Sequence, residues 1–138
     1  MIHLIKLSVG TRDVDHLNRL QHDRQISDPP LRHWTRHAPK RREEILDGGS
    51  IYWVVAGMVQ CRQRILGIEA DSYEDGSAAT ALVLDPALVA VEPRPVKAFQ
   101  GWRYLNRNDA PQDLGDPGEA GSDLPHGLRL ALRELCLL

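Results

Sequence analysis

The sequence predicts a single α+β domain over residues 1–138, with a largely antiparallel sheet of five or six strands, peripheral helices and a C-terminal helix. Runs of alternating and β-branched apolar residues recur between Gly, Pro and Asp positions, as in strands joined by turns. Two other segments space their apolar residues by three or four positions, which is typical of amphipathic helices. A chain of 138 residues suits one domain and can bury its own core without disulfides or metal.

The first third of the chain combines a strand with two helices. Residues 2–9 alternate and end at a glycine, which predicts a strand. Residues 12–25 carry a narrow apolar stripe, and the prolines within residues 27–31 end this helix. A short helix over residues 40–47 follows, because Pro39 can begin a helix and two consecutive glycines can end it.

Most of the predicted sheet lies in the middle of the chain. Strands are predicted over residues 51–56, 58–71 and 78–84, with one further short strand within residues 86–96. In the second of these strands the apolar phase changes near residues 65–67. Such a change of phase indicates a β-bulge.

The composition changes at residue 106. Residues 106–123 hold five acidic residues and one Arg among many Gly and Pro, which predicts a flexible acidic loop. Residues 124–136 then place Leu128, Leu132 and Leu135 on one stripe. This spacing predicts the C-terminal helix, packed on the sheet by its leucines.

Composition also narrows the classes of function. The net charge of −2 excludes a polycation that coats nucleic acid indiscriminately. No stretch approaches 18 apolar residues and the N-terminus lacks a signal-peptide pattern, so we expect no membrane partner and a cytoplasmic location. No cofactor is expected, since no glycine-rich phosphate loop occurs. No metal site is expected either, because His33 and His37 lack companion ligands at a familiar spacing.

The first candidate binding residues lie in the basic segment 32–42. It interleaves Trp34 with five Lys and Arg residues and contains no acid. Lys40 and Arg41 fall at the start of the predicted helix, where cations oppose the helix dipole. Basic side chains attract phosphate and rings stack on bases, so the segment favours nucleic-acid binding. An exposed loop leading into a helix is the alternative explanation.

Arg62 and Arg64 form a second candidate pair. They share one face of the predicted strand, about 6.6–6.8 Å apart. That step suits neighbouring phosphates of an extended nucleic-acid strand. Ion pairs on a solvated strand face are the alternative.

The segment FQGWRYL, residues 99–105, concentrates three of the seven aromatic residues of the chain. Phe99 is predicted to be buried. Trp102 is predicted to lie at the edge of a ligand site with Arg103 nearby, because an indole and a guanidinium can clamp a planar base. An intramolecular cation–π pair is the alternative.

At DGGSIYWV, RQRIL, LVLDP and FQGWRYL the chain resembles a bacterial family of short proteins known only as a domain of unknown function, number fourteen eighty-nine. The resemblance covers nearly all of the chain and implies no particular activity. More distantly, Trp34, the helix KRREEILDGG and the strand SIYWVV resemble PUA-like and ASCH domains. That resemblance implies a mixed β-barrel that binds RNA or modified nucleosides, although the Lys and acid that usually follow the glycine are missing.

Together these features favour a domain that binds RNA or a nucleotide through a basic and aromatic face. One alternative is an enzyme acting on a nucleotide or nucleoside, with Lys40 and Glu43 or Glu44 as acid and base. The other is a protein-interaction module that docks through the acidic loop. In the favoured hypothesis the phosphate contacts are Lys40, Arg41, Arg62 and Arg64, and the ring faces are Trp34 and Trp102.

Overall fold

The computed structural model describes residues 1–114 of the chain. Its helical elements are α1 and α2, followed by a single 3₁₀ turn after the last strand. In chain order the elements are β1 (Ile2–Leu7), α1 (Val14–Ser27), β2 (Arg32–Thr35), α2 (Arg42–Leu46), β3 (Ser50–Val55), β4 (Met58–Ser72), β5 (Ala78–Leu84), β6 (Val89–Pro95), β7 (Trp102–Asn106) and the 3₁₀ turn (Arg107–Asp109).

The described residues form one seven-stranded mixed sheet in the order β2-β5-β4-β3-β1-β7, with β6 paired to β4 outside this path. All pairs are antiparallel except β1 with β3, which run parallel. The long strand β4 organises the sheet, since its first half pairs with β3 and β6 and its second half with β5. A shift of register between Ile65 and Gly67 separates the halves and confirms the predicted bulge.

Two apolar clusters lie on opposite sides of the sheet. The first core, which includes Leu4, Trp53 and Ile65, receives Leu17 from α1 and Ile45 from α2. The second core is smaller and consists of Tyr52, Val54, Val59 and Val91, with partly buried neighbours such as Phe99 and Leu105. Because strand residues alternate between faces, each side chain of β1, β3 and β7 can be assigned to one of these two sides.

Helix α1 rests loosely on the first core. Its N-terminus is capped by Asp13, whose carboxylate accepts the backbone N–H of His16 at 2.8 Å. Along its 14 residues only Leu17 and Gln21 are buried. Val14 packs against the first core while partly buried, and most of the other residues of the helix are exposed.

The predicted α+β class is confirmed, but three details of the predicted sheet are wrong. Within residues 1–114 there are seven strands, not five or six, because β2 and β7 form in two segments for which no strand was predicted. The sheet is mixed, since β1 pairs with β3 in parallel across a connection that contains α1, β2 and α2. It does not close into a PUA-like barrel, because β2 and β7 are its two ends and share no ladder.

Two predicted elements fall partly or wholly outside the described residues. The C-terminal helix over 124–136 lies outside them, as does the second half of the acidic loop 106–123. The described beginning of that loop includes the 3₁₀ turn and Asp113, which bridges to Val91. No helix within residues 1–114 is long and apolar enough to cross a membrane.

Candidate functional site

Side-chain hydrogen bonds bring the two ends of the sheet together. The indole N–H of Trp102 in β7 donates to the carbonyl of His37, just beyond β2, at 2.9 Å. The hydroxyl of Tyr104, also in β7, accepts the backbone N–H groups of Lys40 at 2.8 Å and Arg41 at 3.1 Å. The segment that follows β2 is therefore held against β7 without any backbone ladder between the strands.

A cleft of about 370 Å³ lies where the two ends meet, and we refer to it as the aromatic cleft. Three aromatic and three basic residues line it, and no acidic residue within 1–114 does. Both tryptophans predicted as ligand contacts are among its lining residues. The full lining is Lys6, Trp34, Thr35, Arg36, His37, Tyr73, Gln100, Gly101 and Trp102.

The rings of the aromatic cleft are held by specific contacts. Trp102 is partly buried and meets Tyr104 edge-to-face at 5.0 Å. The indole N–H of Trp34 donates to Asp71 at 2.8 Å, and the guanidinium of Arg32 lies 5.3 Å from the Trp34 ring centre. These contacts fix the orientation of both indoles before any ligand arrives, which reduces the entropic cost of binding.

Gly101 shapes the wall of the aromatic cleft beside Trp102. Its φ of +70° lies in the left-handed region, which residues with a Cβ rarely adopt. The chain therefore turns sharply immediately before Trp102 enters β7.

Lys6 is a cleft residue that sequence reasoning missed. It is the cross-strand partner of Trp102 and shares the first-core side of β1 with Ile2 and Leu4. Burial lowers the pKa of its ammonium group, and within residues 1–114 no carboxylate forms a salt bridge with it. The signal was present in the sequence, because a Lys at an apolar position of an alternating strand is unusual.

A second, smaller cleft of about 150 Å³ lies between α1 and the sheet, and we refer to it as the helix cleft. His33 of β2 lines it and meets Trp53 edge-to-face at 5.1 Å. Burial, together with the charges of Lys6 and Arg24, lowers the pKa of His33 to about 4. The imidazole is therefore neutral at pH 7, and its buried Nε2 has no hydrogen-bond partner among the described residues.

A buried amide pair supports the first core beside the helix cleft. Gln21 of α1 and Gln63 of β4 exchange two reciprocal side-chain hydrogen bonds of 2.8 Å. The Gln63 oxygen also accepts the Trp53 indole N–H at 2.8 Å, and its nitrogen donates to the Asp85 carbonyl at 3.0 Å. This network ties the otherwise loosely packed α1 to the sheet.

Three of the other predicted contacts, Arg62, Arg64 and Arg103, lie on the second-core side, away from the aromatic cleft. Lys40 and Arg41 lie on the first-core side, where their backbone N–H groups bind Tyr104, but they do not line the cleft. Arg62 is paired in register with Tyr52 of the second core, and Arg64 shares its strand face. Arg62 makes a bidentate pair with Asp113, with both distances at 2.7 Å. The guanidinium of Arg103 lies 4.5 Å from the ring centre of Phe99, which is only partly buried.

Replacing Arg62 with alanine should lower the free energy of unfolding by about 1 kcal/mol, because a partly buried bidentate pair is lost. Arg64→Ala is the matched control on the same strand face, and its exposed side chain should cost less than about 0.5 kcal/mol. Urea denaturation of both variants compares the two values. Equal small losses would show that the Arg62–Asp113 pair contributes nothing to stability.

The enzyme alternative that pairs Lys40 with Glu44 is not supported by the contacts of these two residues. Arg41 donates two hydrogen bonds of 2.7 and 2.8 Å to Glu44. These hydrogen bonds are the main reason why the pKa of Glu44 is lowered. Lys40 precedes α2, which begins at Arg42, so it does not face Glu44 across a helical turn. Burial raises the pKa of the Cys61 thiol to about 12, which makes it a poor nucleophile.

The two histidines considered as zinc ligands occupy different surroundings. His33 packs on Trp53, whereas His37 lines the aromatic cleft. No group of three His, Cys, Asp or Glu side chains converges anywhere in the described part of the chain.

The chain matches the sequence model of a known protein family. Residues 4–138 match the family model described as "Protein of unknown function (DUF1489)". The chain belongs to this family. The DUF1489 match omits only the first residues of β1 and includes all of β2–β7. It therefore covers the residues that line both clefts. No curated protein and no solved structure matches the chain.

Proposed function

We propose that the aromatic cleft binds a nucleotide unit, either in single-stranded RNA or as a free nucleotide. One observation carries the proposal: three aromatic and three basic residues line a cleft of about 370 Å³, and none of the described residues that line it is acidic. Rings recognise the flat face of a base, and basic groups attract phosphate. The volume falls within the range of about 300–1,000 Å³ that is usual for sites of small molecules.

The chemistry of the lining divides naturally between base and phosphate. Trp102 and Tyr73 offer aromatic surface, and the amide of Gln100 can both donate to and accept from the polar edge of a base. Lys6 and Arg36 supply positive charge. The net charge of −2 does not oppose this function, because no acidic residue in the described part of the chain lines the cleft.

Binding should depend on the ring of Trp102. The probe is a fluorescently labelled single-stranded RNA of about 8 nucleotides, within the site sizes of single-strand binders. Trp102→Leu should weaken its affinity by about 1–3 kcal/mol, the usual contribution of one stacked base, measured by fluorescence anisotropy. Phe99→Leu is the matched control, because this ring lies on the opposite side of the sheet.

The salt dependence of binding identifies the face that meets phosphate. Arg36→Gln should reduce the slope of log affinity against log salt by about 0.7, the value for one phosphate contact on a single strand. Arg64→Gln removes the same charge from the other face and should leave the slope unchanged. A loss of slope in Arg64→Gln alone would place the nucleic acid on the Arg62 and Arg64 face, as the sequence suggested, and would overturn the aromatic-cleft assignment.

A further inference from the structure

We propose that the helix cleft binds the terminal phosphate of the nucleotide whose base occupies the aromatic cleft. The inference rests on the proposed function and names its ligand class, a nucleotide or RNA end that carries a phosphate monoester. It joins the two clefts into one composite site, with the base at one end and the phosphate beneath α1.

The charges around the helix cleft suit an anion. Lys6, Arg24 and Arg32 line it from β1, α1 and β2, and none of its lining residues among the 114 described is acidic. Arg32 is the only one of the three that forms a salt bridge within residues 1–114, to Asp28 at 2.8 Å. A phosphate monoester is mostly doubly charged at pH 7, so a cleft with three cations favours it over a singly charged diester.

Two buried polar atoms that belong to lining residues of the helix cleft lack partners among the described residues. His33 Nε2 and Arg32 Nε are both buried, and neither makes a hydrogen bond among the described residues. A buried polar atom without a partner costs about 1–3 kcal/mol, so a ligand oxygen that reaches these atoms recovers that cost. The cleft, at about 150 Å³, has room for several water molecules and hence for a phosphate group.

The two clefts are close enough for one ligand. Lys6 lines both of them. Strand β2 runs from one to the other, with Arg32 and His33 in the helix cleft and Trp34 and Thr35 in the aromatic cleft. A step of two residues along a strand is about 7 Å, a separation that a ribose can bridge between base and phosphate.

The apolar part of the helix cleft explains why the phosphate is terminal. Leu17, Leu31, Trp53 and Leu84 are buried and line it together with the cations. A polynucleotide that continued past the first phosphate would press further charged groups against this apolar surface, which is strongly unfavourable. A phosphate monoester carries no further nucleotide, so it places no additional charged group against this apolar surface.

The test compares ligands that differ only in the phosphate. The affinities of the four ribonucleoside 5′- and 3′-monophosphates, and of the corresponding nucleosides, are measured by isothermal titration calorimetry on the full chain. At least one monophosphate should bind about 10- to 100-fold more tightly than its nucleoside, as expected for hydrogen bonds to a charged group. Arg24→Gln should reduce that ratio, whereas Arg19→Gln, an exposed residue of α1 outside the cleft, should not.

The outcomes separate the inference from the proposed function. Equal affinities for nucleosides and monophosphates would overturn the phosphate assignment and leave base binding in the aromatic cleft intact. Binding by RNA alone, with no difference between oligonucleotides that end in phosphate or hydroxyl, would also overturn it. Tighter binding by phosphate-ended RNA, or by the monophosphates only, would support the inference and identify RNA ends or free nucleotides as the source. If no probe binds, the proposed function itself fails.

Discussion

Gln63→Leu should lower the free energy of unfolding by about 3–5 kcal/mol, the largest effect expected for a single polar substitution in this protein. Gln63 is fully buried and forms four side-chain hydrogen bonds. A leucine of similar size fills the space but leaves the Trp53 indole N–H and the Gln21 amide buried without partners. Each such group costs about 1–3 kcal/mol. Urea denaturation measures the change.

A double-mutant cycle tests whether the loss of stability comes from buried polar groups that are left without hydrogen-bond partners. Replacing Gln21 together with Gln63 should lower the free energy of unfolding by less than the sum of the two single replacements. When both amides are absent, neither is left buried without its partner. Gln112→Leu is the control, since its side chain is exposed and should change stability by less than about 0.5 kcal/mol. A loss below about 1 kcal/mol in Gln63→Leu would show that the network does not stabilise the core.

Acidification from pH 6.5 to pH 4 should remove about 3 kcal/mol of stability through His33 alone. The folded protein holds the pKa of His33 at about 4, against 6.5 for the unfolded chain. Between these values the unfolded chain binds the proton more readily, so this contribution is complete above pH 6.5 and is lost as the pH falls towards 4. The first cause is burial, and the charges of Lys6 and Arg24 act in the same direction.

The pH dependence of stability in two histidine variants isolates the contribution of His33. His33→Gln removes the titrating group, so its stability should decline less steeply between pH 6.5 and pH 4 than that of the wild type. His22→Gln serves as the control for an exposed histidine and should follow the wild-type curve. Burial also lowers the pKa of His3, so a dependence of the same sign should persist in His33→Gln. Parallel curves for all three proteins would assign the acid sensitivity to other groups.

The helix cleft and the buried amide network share one structural cause. Only Leu17 and Gln21 of α1 are buried, so the helix is held at a few points and does not cover the sheet continuously. The Gln21–Gln63 pair fixes its position, while Lys6, Arg24 and His33 surround the space that remains. A continuous apolar contact would have filled that space, so the polar anchoring of α1 is what makes a charged cleft possible.

Local patterns in the sequence determined most of the elements of this fold. Alternation predicted β1 and β3–β5, the change of apolar phase located the bulge at Ile65–Gly67, and the apolar stripe before the prolines predicted α1. Membership of the family was also apparent from short motifs. The tryptophans Trp34 and Trp102 were selected because aromatic residues are scarce in the chain and these two stand beside basic residues. These features are readable because they depend on residues close together in the chain.

Only the tertiary structure decided which of these residues meet. The parallel pairing of β1 with β3 places Lys6 next to Trp53, and the pairing of β1 with β7 places it next to Trp102. Alternation shows that Arg62 and Arg64 share a face, but not that this face lies opposite the side of Trp102 or that Asp113 reaches Arg62. The residue pattern of a strand shows which of its side chains share a face, but it does not show which strand lies beside it. The choice of neighbour depends on packing between distant segments, and that packing brings Trp34 and Trp102 to one cleft from opposite ends of the sheet.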